Sequence, residues 1–173
     1  MYLINKGSFT RDDAAGATGR WYGIEIKNNE LRFAIDDDVT KSQATVTQTD
    51  GLLSEKWAHI VGIRDTGEGI LKLYVNGSML SSVADGTGNI SQEHDLFLGN
   101  STTGTAPLAG VLDEVRIYNY ALSGAEVRAV YEMVTGVEEA EDMIPLTSRL
   151  NQNYPNPFNP STVISFSLPE KQE

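Results

Sequence analysis

Three consecutive carboxylates, Asp36, Asp37 and Asp38, close one alternating segment and open a loop. Clustered carboxylate oxygens can coordinate Ca²⁺ or accept hydrogen bonds from sugar hydroxyls; the plainer alternative is an acidic turn. The spacing is not that of an EF-hand loop, which needs a central Gly and a closing Glu. Trp21, Arg32 and Arg64 point away from the core if their neighbours Tyr22, Phe33 and Ile63 point into it. An exposed indole beside guanidinium groups is a surface on which the apolar C–H face of a pyranose can stack. Alternatively, Trp21 is an incidental surface aromatic. Asp113 shares its parity with Val111, Val115 and Ile117, so its carboxylate is expected inside. A buried ion needs a metal, an Arg or backbone N–H donors. Trp57 and His59 share a parity with Val61 and Ile63. A catalytic His is conceivable there, but the pattern favours two core residues with the imidazole bonded to backbone. His94 has no second His at metal-ligand spacing and is expected to be exposed.

Several chemistries find no matching residues. Glycoside hydrolysis needs two carboxylates flanking the scissile bond at a fixed separation. Asp113 and Glu114 are adjacent, so on a strand they face opposite sides. There is no Gly-x-Ser-x-Gly elbow and no phosphate-binding loop. The absence of cysteine rules out disulfides, zinc–thiolate sites and thiol catalysis. A net charge of −11, with Lys and Arg scattered, argues against nucleic acid, which needs a basic stripe. No apolar run is long enough to insert in a membrane as a helix. The opening residues lack the basic start, apolar centre and cleavage site of a signal peptide, so export requires a leader that this sequence does not show.

The elements that must position these residues are mostly short strands. Tyr22, Ile24 and Ile26 alternate with Gly23, Glu25 and Lys27, and Leu31, Phe33 and Ile35 alternate across the Asn28–Asn29 turn. Leu71, Leu73 and Val75 precede Asn76–Gly77, a pair suited to a two-residue hairpin turn, and residues 78–83 return. Further strands are expected at 56–64, 95–98 and 110–118, with a weakly alternating edge strand at 40–48. Residues 85–91 and 100–105 are rich in Gly, Asn, Ser and Thr and read as loops. One helix follows, opened by a Ser123/Glu126 capping box, with Val127, Val130, Tyr131 and Val134 on one face and Gly136 as its stop. It is expected to dock by that face on the sheets. The pattern specifies an all-β antiparallel sandwich with one short C-terminal helix. Residues 1–136 form this domain, 137–148 an acidic linker, and 149–173 a Pro-rich tail.

Two segments resemble known families. KWAHIVGIRDTGEGILKLYVNGSMLSSV and LAGVLDEVRIYNYALSGAEVRAVYE resemble the laminin-G-like jelly-roll family of the concanavalin A-like lectin and glucanase superfamily. The shared features are a Trp-x-His strand, a Tyr-Val-Asn-Gly hairpin and a terminal Gly-x-x-Asp-Glu-Val-Arg-Ile-Tyr-Asn strand before a short helix. The family usually carries further strands before the equivalent of Ile4-Asn5-Lys6-Gly7. The superfamily's glucanases use a Glu-x-Asp-x-x-Glu run, which is absent. The resemblance implies a jelly roll, a structural Ca²⁺ held by Asp113 with backbone carbonyls, and a non-catalytic module binding an extracellular glycan or surface protein. The alternative is an accessory part of a secreted glycoside hydrolase or lyase. The second segment, Asn153-Tyr154-Pro155-Asn156-Pro157-Phe158-Asn159-Pro160, is similar to the opening of the C-terminal sorting domain of type IX secretion. It implies secretion to a bacterial cell surface through the type IX machinery.

Overall fold

In the computed structural model, which describes residues 1–7, 19–47, 56–91, 93–101, 104–135, 149–150 and 166–167, the chain alternates short strands with tight turns. In order they are β1 (Tyr2–Lys6), β2 (Arg20–Lys27), β3 (Glu30–Asp37), β4 (Lys41–Thr47), β5 (Ile60–Asp65), β6 (Ile70–Val75), β7 (Ser78–Ala84) and β8 (Leu96–Leu98). Helix α1 (Gly124–Thr135) follows, then the two-residue strands β9 (Arg149–Leu150) and β10 (Phe166–Ser167). The expected hairpins form. Asn28 and Asn29 have φ of 51° and 60°, and Asn76 and Gly77 have 50° and 74°. Two successive positive φ values give the turn whose twist matches the strands it joins.

Within Met1–Val134 the described residues form two antiparallel sheets, with strand orders β4-β3-β2-β1-β8 and β5-β6-β7. The 40–48 segment is indeed an edge, as β4. Register decides which residues meet inside. Tyr22 opposes Ile35, Ile24 opposes Phe33, and Ile26 opposes Leu31. Phe33 in turn opposes Ala44, and Leu31 opposes Val46. Their inner faces pack with Leu71, Leu73 and Val75 of β6 into one cluster. Each such side chain removed from water contributes about 1.5–3 kcal/mol before ordering costs.

A third layer covers the far face of the smaller sheet. Ile63, Tyr74, Leu122 and Val127 form a second buried cluster, joining β5 and β6 to α1. The capping box forms as the spacing predicts. The Ser123 N–H donates to Glu126 Oε2 at 2.7 Å, and the Glu126 N–H donates to Ser123 Oγ at 3.3 Å. Tyr131 of the helix lies directly over the β6–β7 turn. A Cβ on Gly77 would stand 2.9 Å from its Cδ1, so both the positive φ and the close approach require glycine there.

The second cluster corrects one parity. Ile63 points to the helix, so Gly62 and Arg64 face the interior between the sheets. A Cβ on Gly62 would lie 2.7 Å from Cγ and Cδ2 of Phe33, so the Phe33 ring occupies the space a side chain would take. A further correction concerns 110–118. Alternation there predicts a strand, but the segment joins no ladder among the described residues. A strand needs a neighbour to pair its N–H and C=O groups, and periodicity alone does not supply one.

The chain divides into two compact units, Met1–Val134 and Thr135–Glu173. In the second, Phe166 pairs with Leu150 and Ser167 with Arg149. Gly136, the acidic linker at 137–148 and the motif at 153–160 lie outside the described residues.

Candidate functional site

Arg64 does not meet solvent as a sugar-binding group. Its Nε donates to Asp85 Oδ2 at 2.8 Å, and one terminal nitrogen donates to Thr87 Oγ1 at 3.0 Å, to the Gly88 carbonyl at 2.7 Å and to the Thr87 carbonyl. The Asp85 side chain is only 2% exposed. Burial alone would raise its carboxyl, but the Thr87 hydroxyl, Arg64, the Thr87 N–H and Ser42 outweigh burial and hold it below the usual carboxylate range. The guanidinium thus fixes the 85–88 loop against β5.

The three aspartates at 36–38 separate into three roles. Asp37 binds its own turn: Oδ1 accepts from the N–H groups of Val39 at 2.9 Å and Thr40 at 2.7 Å, and Oδ2 accepts from Gly88 N–H. Those N–H donors, Gly88 first and Thr40 next, hold its carboxyl low. Asp36 is fully buried and accepts from the Asp38 N–H at 2.7 Å. Asp38 is exposed, with φ of 78°. The geometry is that of an acidic turn tying β3 to the 85–91 loop.

Trp21 is also corrected. It does face away from the main core, yet it is 0% exposed, packed with Ala34 and Tyr2, and the Lys41 ammonium lies 5.0 Å from its ring centroid. Parity tells which side of a sheet a residue occupies, but not whether that side is covered. Arg32 lies on the same outer face, half-buried, with its terminal nitrogen 2.7 Å from Glu30 Oε2.

Asp113 is exposed, as are Val111, Val115 and Ile117; its Oδ1 accepts the Glu114 N–H at 2.8 Å. Without a ladder, nothing turns the carboxylate inward. Ca²⁺ takes six to eight oxygen ligands. Among the described residues Asp113 joins no group of three His, Cys, Asp or Glu side chains. Asp36 and Asp38 form no such group either.

Trp57, expected in the core, lies before β5 and is 70% exposed. His59 is half-buried and stacks on Tyr131 with centroids 5.8 Å apart. Its Nδ1 is buried with no hydrogen-bond partner among the described residues, in place of the expected backbone bond. Burial first, and the Arg116 cation second, depress its pKa. His94 is exposed, as expected. Of the site residues named from sequence, Trp21 and Asp36 are directly opposed on the outer face that Arg32 shares, whereas Arg64 faces the interior and Asp38 and Asp113 are exposed. Trp57, like Trp21, was misplaced by sequence reasoning, because the strand expected at 56–64 begins only at Ile60.

No curated protein matches the sequence. Among solved structures, the Ruminococcus gnavus IT-sialidase CBM40 shares 16% identity at a TM-score of 0.55, over 75% of this chain and 73% of that one. An S-layer domain-containing protein of Clostridium thermocellum shares 18% identity at a TM-score of 0.34, over 75% and 64% of the two chains. The first likeness shows a common fold. Residues 4–128 match the laminin-G-like model described as the concanavalin A-like lectin/glucanases superfamily, and with two sheets stacked as that fold requires, the chain belongs to this superfamily.

Proposed function

We propose that the domain is a non-catalytic glycan-binding module of a secreted bacterial surface protein, with Trp57 as its stacking surface. The observation that carries this reading is the 70% exposure of the Trp57 indole, on a fold where Trp21 is fully covered. An exposed indole supplies a large apolar face with only two side-chain torsions to fix on binding. The superfamily and the carbohydrate-binding module of similar fold favour a sugar as the ligand. The likeness of 153–160 to a type IX sorting segment supports export.

Glycan-array screening followed by calorimetry tests this. Binding to at least one polysaccharide is expected, weakened at least about tenfold in Trp57→Ala with the melting temperature retained. Absence of affinity for every arrayed glycan, or full affinity in Trp57→Ala, overturns the reading.

A further inference from the structure

His59 ties the smaller sheet to the helix layer. Its N–H donates to Asn76 Oδ1 at 3.0 Å and its carbonyl accepts the Asn76 N–H at 2.8 Å, so its backbone is fixed to the β6–β7 turn. Its ring stacks on Tyr131 of α1, with centroids 5.8 Å apart and planes inclined by 28°. Tyr131 in turn covers that same turn, where a Cβ on Gly77 would stand 2.9 Å from its Cδ1. Val127 anchors the first half of α1 in the apolar cluster of Ile63, Tyr74 and Leu122, whereas Tyr131 seats the second half on His59.

That seat suits a neutral imidazole. Nδ1 is buried with no hydrogen-bond partner among the described residues. A neutral ring with its hydrogen on Nε2 leaves only an acceptor at that atom. A protonated ring places an N–H there, and an unpaired buried donor is costly. The groups that face His59 do not offset this cost. They are Tyr131 from α1, Asn76 from the β6–β7 turn, whose Oδ1 is taken by the His59 backbone, and Arg116 from residues 110–118. Arg116 opposes a second positive charge, and the neighbouring carboxylate, Glu114, is already paired with it. Burial first and Arg116 second lower the pKa of the docked ring. An undocked imidazole takes its proton near the ordinary value of about 6.5. Below that pH, protonation therefore favours the form in which the ring has left its seat. With its backbone held by Asn76, the ring leaves by rotating its side chain, which breaks the stack on Tyr131.

We propose that His59 is a pH-sensitive latch on α1, whose protonation releases Tyr131 and loosens the helix from Tyr131 to Thr135 while Val127 stays docked. Thr135 ends the helix and is the first residue of the second unit, so release lengthens the segment that connects the two units.

Amide hydrogen exchange on the whole chain, corrected for intrinsic rates and compared at about pH 7.5 and about pH 5.5, tests this. Protection of residues 131–135 is expected to fall by roughly fivefold or more in acid, the least that burying an unpaired donor costs, while that of Val127 and of β6 is kept. His59→Gln stays neutral at both pH values and is expected to abolish the fall. Arg116→Gln removes the opposing cation, brings the docked and undocked pKa values closer, and is expected to shrink the fall. Protection of 131–135 that is unchanged in acid overturns the proposal. So does a fall shared equally by Val127 and β6, a fall that persists in His59→Gln, or one undiminished in Arg116→Gln.

Discussion

Replacing Arg64 with alanine separates a structural guanidinium from a ligand-binding one. The change leaves Asp85, with a side chain only 2% exposed, without its cation, and leaves the carbonyls of Thr87 and Gly88 without a donor. Removing one partner of a buried pair costs about 3–5 kcal/mol, because the remaining charge is uncompensated. Asp85 keeps the Thr87 N–H at 3.0 Å and the Thr87 hydroxyl at 2.6 Å, which places the loss near the lower end, about 3 kcal/mol. In a domain of this size that lowers the melting temperature by about 10 °C. The pH dependence supplies an internal check. Asp85 has a depressed pKa when folded, so its stabilising contribution is fully present above its unfolded value and is lost as pH falls through the folded one. Without Arg64, burial is opposed less and the carboxyl rises. Native Asp85 then protonates more readily, and the variant's deficit narrows in acid. Thermal melts of both proteins at neutral and acidic pH measure this. A loss below about 1 kcal/mol at neutral pH, or a deficit that widens in acid, would refute the structural role of the Arg64–Asp85 pair.

Three other outcomes are expected. Gly62→Ala drives a methyl into the Phe33 ring and should destabilise by about 1–3 kcal/mol in urea titration, with less than additive loss when combined with Phe33→Leu. His59 has a lowered pKa, so the unfolded chain binds its proton first; melting temperature should fall as pH drops below the ordinary His value near 6.5, and His59→Gln should flatten that fall. Asp113→Asn should change stability by no more than about 0.5 kcal/mol, with or without EDTA in the melt, because the side chain is exposed.

The amino-acid order determined the local elements by itself. Asn28–Asn29 and Asn76–Gly77 tolerate the positive φ values of tight hairpins, and alternation on both sides of each turn fixes the paired strands. Ser123 and Glu126 are close enough in sequence to cap each other, so the helix start was legible before any fold was known. What lies on the far side of a sheet depends on residues distant in the chain. Trp21 is buried although its parity points outward, and Arg64 turns inward because Ile63 is claimed by Leu122 and Val127 of the helix layer. For the same reason 110–118 has the pattern of a strand but joins no ladder among the described residues: alternation is a property of the segment, whereas a ladder belongs to two segments, and only the tertiary structure decides where the second lies.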